Sequence, residues 1–202
     1  MIGGLILAAG ASTRMGRPKA ALPLGDTGET VLSLGVRTML AAGVPSVTVV
    51  AGAHADSTRA ALTLSDPRVR IVEHTGWRLG QLSSLVAGLD AIDEGRIEAV
   101  LVTLVDVPLV QAQTLRTIIS AWRASGAPIV RPASGERHGH PVLFDRSVFG
   151  DLRAADPSIG AKAVIALHRS SILDVTVDDT GAFQDLDTPE DYQRVLQMFG
   201  AG

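Results

Sequence analysis

An α/β fold with a mostly parallel mixed sheet between two helical faces is predicted by three features of the sequence. Continuous apolar runs of strand length, GGLILAA, SVTVVAG and AVLVTLVD, recur along the first half of the chain. Such runs suit strands covered on both sides, whereas a sheet with one wet face alternates apolar and polar residues. Segments with helical apolar spacing separate them, and this alternation requires crossover connections that return each strand parallel to the last. Later, a polar section leads into GHPVLF, which reads as one antiparallel strand and makes the sheet mixed.

In chain order, the strand GGLILAA precedes a glycine-rich stretch and then the helix TVLSLGVRTMLAAG, whose Leu32, Val36, Met39 and Leu40 form one face before Gly43 ends it. SVTVVAG is the next strand, residues 56–64 a helix, and VRIVE a short strand. GQLSSLVAGLDAIDEG places Leu82, Leu85, Val86 and Leu89 on the buried side of a helix that leads into AVLVTLVD. QAQTLRTIISAWRASG is helical, IVRP is strand-like and ASGERHGH is a loop or hairpin before GHPVLF. Short helices begin near Asp145 and span residues 161–168, and ILDVTV is a late strand. The last helix follows TPED, with Thr188 as cap, Pro189 at the first helical position and Asp191 completing a capping box.

At 202 residues the chain is expected to bury roughly 70% of its extended surface, enough for one core. No repeat, linker or composition break divides it, so residues 1–202 read as a single domain. With 46% hydrophobic and only 3% aromatic residues, that core must be built from Val, Leu, Ile and Ala. The absence of Cys excludes disulfides, thiolate metal sites and thiol nucleophiles. A net charge of -3 argues against a broad nucleic-acid face. Neither a secretory leader nor a run of membrane-spanning length is present, so a cytoplasmic location and no membrane partner are expected. The average charge conceals an asymmetry: Arg14, Arg17 and Lys19 stand near the start without an acid, while residues 174–202 hold seven Asp or Glu against Arg194 alone. Brought together, these ends would form opposite halves of a phosphate and metal site.

The stretch LAAGASTRMGRPK, residues 7–19, follows the first strand directly. Gly10 allows a tight turn that aims backbone N–H groups at an anion, Arg14 offers a forked donor and Lys19 a point charge. Its spacing matches neither GxGxxG nor GxxxxGK[ST], and by itself it also fits a glycine turn with solvated cations. Asp106 closes LVTLVD at the carboxyl edge of the sheet, a favoured ligand position, although a plain turn residue fits there too. Asp187 by itself reads first as a polar turn or helix-start residue and second as a metal ligand. His138 and His140 share a face if extended, and His140 can both donate and accept. His54, His74 and His168 read as surface, local-structure or packing residues, and Trp77 as part of an entrance.

The chain resembles the MobA-like nucleotidyltransferase family, especially molybdenum cofactor cytidylyltransferases, through LAAGASTRMGRPKAALPL, GWRLGQLSSLVAGL, LVTLVDVPLV, GERHGHPVLF and QDLDTPEDY in consistent order. The resemblance implies a three-layer Rossmann-like fold with the first loop around a donor triphosphate. It implies nucleotide contacts at Leu7, Ala8, Ala9, Gly10, Arg14, Lys19, Gly80, Ser83 and Ser84, and acceptor contacts at Gly139, His140 and Pro141. Mg2+ would be held by Asp106 and Asp187, with Arg14, Lys19 and Asp106 catalytic. The implied reaction moves CMP from CTP, or another NMP from its NTP, to molybdopterin or another phosphate-bearing acceptor, releasing pyrophosphate. A molybdoenzyme or cofactor-delivery protein is the implied protein partner. Transfer to a sugar or alcohol phosphate is the alternative enzyme reading, and a nucleotide-binding accessory protein the non-catalytic one. Two departures stand out: the insertion-like DTGET at 26–30, and VDVPL around Asp106, which retains Asp106 and Pro108.

Overall fold

The apolar run near the N-terminus forms β1 (Ile2–Ala8), and all seven of its residues are buried. The computed structural model describes residues 1–26, 28–92 and 95–200. Residue 27 of the DTGET segment, residues 93 and 94 at the end of the third expected helix, and the last two residues of the expected domain lie outside the described residues. Along the chain, β1 is followed by α1 (Val31–Ala41), β2 (Val47–Ala51), α2 (Ala55–Ala61), β3 (Val69–Glu73), α3 (Gln81–Ile92) and β4 (Ala99–Leu104). Then come α4 (Ala112–Ser125), β5 (Ile129–Ser134), β6 (Arg137–His138), β7 (Val142–Asp145), α5 (Phe149–Ala154), α6 (Lys162–Leu167), β8 (Ile172–Thr176) and α7 (Pro189–Gly200).

The sheet runs in the order β3–β2–β1–β4–β7–β5–β6, with β8 also paired to β5. β1 is parallel to both β2 and β4, β2 to β3, and β5 to β8. β7 is antiparallel to its neighbours β4 and β5, as the GHPVLF segment predicted. This is the three-layer Rossmann-like architecture with a mostly parallel mixed sheet. Two clusters coat its faces. Ile6, Val49 and Leu101 pack with Leu32, Val36 and Met39 of α1 and Leu115 and Ile118 of α4, whereas Leu5, Val50 and Val100 pack with Leu82, Leu85 and Leu89 of α3. Alternate residues of each strand serve opposite faces, which is why the strand sequences are apolar throughout. At roughly 1.5–3 kcal/mol per fully buried aliphatic side chain, these faces supply the main favourable term in folding.

Some boundaries differ from expectation for local reasons. α2 stops at Ala61 because the Ala61 carbonyl accepts from the hydroxyls of Thr30 and Ser33, which tie it to the start of α1. β5 runs on to Ser134 because Ala133 and Ser134 pair with His138 and Arg137 in a hairpin. Asp145 caps a 3-10 turn through the Ser147 N–H before α5 begins at Phe149. The register that pairs Leu7 with Leu104 and Ala8 with Ala51 brings the loops after β1, β2 and β4 out along one carboxyl edge. A third cluster, Met15, Leu22, Leu24, Val31, Leu186, Tyr192 and Val195, fastens α7 beside the first loop. This docking brings the acidic C-terminal segment to the basic N-terminal one.

Candidate nucleotide site

The glycine-rich loop is closed on Ser12. The N–H groups of Met15 and Gly16 donate to the Ser12 carbonyl at 3.1 Å, and the Lys19 N–H donates to its hydroxyl at 3.3 Å. The positive φ that the turn requires falls on Ser12 (51°) and Gly16 (74°), not on Gly10, which corrects the role expected for that glycine. A Cβ at Gly10 would meet nothing within 4 Å and would project into free space beside the loop. The N–H groups of Gly10, Ala11 and Ser12 have no hydrogen-bond partner among the described residues. They border a cavity of about 590 Å³ that is also lined by Leu7, Ala8, Ala9, Lys19, Gly80, Ser84 and Asp106. Unpartnered backbone donors grouped beside such a concavity can take up an anion.

Lys19 stands at the inner end of this concavity, in a 3-10 turn after Pro18. Its Nζ donates to Asp106 Oδ2 at 2.8 Å and to Asp187 Oδ1 at 2.7 Å. Arg14 Nη1 lies 2.8 Å from Asp187 Oδ2. The Lys19 side chain is only 11% exposed against 70% for Arg14, so Lys19 belongs to the interior of the site, whereas Arg14 faces solvent and, like Asp187, is not among the residues lining this cavity. Burial opposes the charge on Lys19, but hydrogen bonds and attraction from Asp106 and Asp187 outweigh it and raise its pKa above the ordinary lysine value. Partial burial followed by repulsion from Asp106 and Asp187 pushes the Asp185 carboxyl upward. Asp106 itself leaves β4 at the shared edge, where its carbonyl accepts from the Leu186 N–H at 2.7 Å and joins the two acidic segments. Among the described residues, buried Asp106 Oδ1 has no hydrogen-bond partner.

Of the remaining expected residues, Gly80 and Ser84 line this cavity, Gly139 and His140 a neighbouring one, and Ser83 and Pro141 neither. Gly80 has φ 104° and ψ 177°, a conformation open to glycine, and immediately precedes α3. Ser84 faces the first cavity, while Ser83, about 100° around the helix, turns away to bond His74 Nε2 at 2.9 Å and the Gly80 carbonyl at 2.7 Å. Gly139 and His140 line a second cavity of about 610 Å³, which shares Leu7, Gly80, Gln81 and Leu104 with the first. Pro141 lines neither of these two cavities. At Gly139 a Cβ would fall 2.1 Å from the Ala182 carbonyl oxygen, so close backbone approach demands glycine there. Burial lowers the His140 pKa despite a hydrogen bond to the Val102 backbone and the charges of Asp106 and Asp185, which keeps the ring neutral near pH 7.

Sequence reasoning missed His54, Thr58, Arg78 and Gln81 as cavity residues, and gave Trp77 only an entrance role. His54 Nε2 is 3.0 Å from the Ala11 carbonyl and braces the loop, and the Arg78 guanidinium lies 4.5 Å over the Trp77 ring. The available signal was positional: each follows a parallel strand whose carboxyl end opens on the same edge. Among the described residues, no group of three or more His, Asp or Glu side chains is arranged to hold a metal ion. Nor is any helix among them long and apolar enough to cross a membrane.

The MobA-like NTP transferase domain matches residues 4–172, most of the chain. The chain belongs to this family. A relative of the same extent is the nicotine blue oxidoreductase of Paenarthrobacter nicotinovorans, 32% identical across 96% of this chain and 95% of that protein. Among solved structures, the manganese complex of Rv0371c from Mycobacterium tuberculosis H37Rv is 33% identical with a TM-score of 0.76, covering 97% of this chain and 98% of that one. A nucleotidyl transferase from Methanothermobacter thermautotrophicus is 27% identical with a TM-score of 0.83, covering 100% and 98%. MobA-like membership supports a nucleotidyltransferase reaction between a nucleotide and a phosphate-bearing acceptor, and binding of both partners fits the fold.

Proposed function

We propose that this MobA-like protein transfers CMP from CTP to molybdopterin, releasing pyrophosphate, with Mg2+ as its metal. The observation that carries the reading is the meeting of Lys19 with Asp106 and Asp187 beside the unpaired N–H groups of the first loop. Polyphosphate requires clustered donors and cations, and a divalent ion requires carboxylate oxygens; both stand on one edge.

The residues present fit a divalent ion. Asp106 and Asp187 converge within the reach of one ammonium, and Asp106 Oδ1 keeps an unpartnered lone pair in a buried position. Two carboxylates suffice for Mg2+, which retains water and takes its other ligands from substrate phosphates. That the similar Rv0371c was solved as a complex with manganese supports a divalent ion in this reading. When bound, the metal supplies charge neutralisation to the triphosphate. Asp106 and Asp187 would hold it, the N–H groups of Gly10–Ser12 would orient the phosphate chain, and Lys19 and Arg14 would stabilise charge as pyrophosphate leaves. The acceptor, placed in the second cavity near Gly139 and His140, attacks the α-phosphorus through a phosphate oxygen. A new P–O bond forms as the bond to the β-phosphate breaks. An ionised phosphate nucleophile needs no strong base, so positioning and electrostatics carry the step.

The test compares CTP, GTP and ATP, each with and without molybdopterin and Mg2+, by pyrophosphate release and product mass. CTP-dependent product formation is the expected result. Turnover with GTP or ATP instead would reassign the base, product from a sugar or alcohol phosphate would reassign the acceptor, and binding without turnover would favour an accessory role. Because one relative is named for redox chemistry, the screen includes oxidation of NADH and NADPH; activity there alone would overturn nucleotidyl transfer.

A further inference from the structure

The first turn of α7 touches both halves of the candidate site. On one side, Asp191 Oδ2 accepts from the Asp187 N–H at 3.0 Å and the Thr188 N–H at 2.8 Å, which fixes the backbone that carries the second carboxylate. On the other, Tyr192, only 6% exposed, donates its hydroxyl to the Pro23 carbonyl just beyond the phosphate loop. Its ring shares a buried cluster with Met15 of that loop and with Leu22 and Leu186, and it carries the Arg17 guanidinium 5.3 Å from its centroid. Met15 is 6% exposed between exposed Arg14 and Gly16, so the loop is anchored from beneath by one apolar side chain, in a cluster that joins nearby Leu22, Leu24 and Val31 to Leu186, Tyr192 and Val195 at the far end of the chain. The MobA-like match ends at residue 172, and this anchor lies beyond it.

We propose that Tyr192 is a positioning residue for the phosphate loop, tying residues 10–24 and Asp187 into one arrangement through the first turn of α7. The consequence for nucleotide rests on reading that loop as the triphosphate site; the mechanical coupling does not. A flexible loop must lose conformational freedom when it closes around an anion, and a loop already ordered by Met15, Pro23 and Arg17 on Tyr192 loses less. Because Asp187 hangs from the same helical turn, loosening Tyr192 disturbs the carboxylate as well as the loop. Tyr192 acts through these groups and touches no reacting atom.

Amide hydrogen exchange on the full chain tests the coupling, and calorimetric titration with CTP and Mg2+ tests its consequence. Tyr192→Leu should speed exchange selectively over residues 10–24 and 186–188, leave β1–β4 unchanged, and weaken CTP binding about tenfold. Tyr192→Phe keeps the ring and should stay within about threefold of the parent in affinity. Should Tyr192→Leu not fold, Asp191→Ala becomes the deciding variant, because it releases the same turn at a partly exposed position and should also speed exchange in 10–24. Unchanged loop exchange in the folded variants, or an equal rise across the whole chain, would overturn the proposal. A Phe variant as impaired as Leu would overturn the ring's part. Failure of the parent protein to bind any nucleotide would defeat the triphosphate reading, while the exchange pattern would still decide the coupling.

Discussion

Lys19 and Asp187, 168 positions apart in the chain, meet at 2.7 Å. The same ammonium holds Asp106 at 2.8 Å, so one buried cation bridges two carboxylates delivered by different elements. Removing it should therefore be felt through both. Lys19→Met is expected to destabilise the fold by about 1–3 kcal/mol, because it leaves two partly buried carboxylates facing each other. Adding Asp187→Asn should recover part of that loss. Urea denaturation of the two single variants and the double variant measures the coupling, and strict additivity would show that the three groups do not act together.

Asp106→Asn keeps the shape of the side chain and removes its charge. Pyrophosphate release with Mg2+ should fall by about 100-fold or more, the loss typical when one preorganised electrostatic group is removed. Nucleotide binding should weaken much less, since the loop N–H groups and Lys19 remain. Parental turnover in this variant would remove Asp106 from the mechanism.

His140 gives a pH dependence with a defined sign. Burial holds its folded pKa below the ordinary 6.5, so the unfolded chain binds a proton that the folded chain refuses. Stability from this residue is level above about 6.5 and declines as pH falls from there through the folded pKa. Comparing urea midpoints of the parent and His140→Gln between pH 8 and pH 5 isolates the effect, as the difference cancels the other histidines. The gap between the two proteins should change in the parent's disfavour on acidification; a constant gap would contradict a buried neutral ring. In turnover assays, His140→Ala should raise KM for the acceptor and spare nucleotide binding measured without acceptor.

Gly139→Ala forces a methyl group to within 2.1 Å of the Ala182 carbonyl oxygen, at a segment where the Gly139 N–H also donates to the Pro132 carbonyl at 3.0 Å. Neither backbone can yield without breaking the pairing that carries His140. Destabilisation of about 1–3 kcal/mol is expected from this overpacking, read as a lower melting temperature. An unchanged melting temperature would mean that the two backbones can separate freely.

Part of the first loop was readable because its chemistry is local: Gly10, Lys19 and the strand end at Asp106 stand out by residue type and by position after an apolar run, while Leu7 to Ala9 came only from the family resemblance; all of them line the first cavity. The capping box at Thr188 and Asp191 was equally legible, since both partners lie within one helical turn. Ser83 was not, because the motif places Ser83 and Ser84 side by side while a helix points them in different directions; only Ser84 reaches the cavity. His54 and Arg78 were hidden for a related reason. Neither has a distinctive neighbour in sequence, and each acquires its place from the strand it follows.

The sequence by itself determined the layered α/β architecture, because apolar strand runs and helical spacing state locally which surfaces must be buried. Tertiary structure decided which charges meet. The basic loop and the acidic tail both existed on paper, but only the β1–β4 register and the docking of α7 on Met15, Leu22 and Leu24 set Lys19 between Asp106 and Asp187. Periodicity encodes a residue's face within its own element. The distance between side chains on separate elements depends on register and packing across the whole chain, which no local pattern contains.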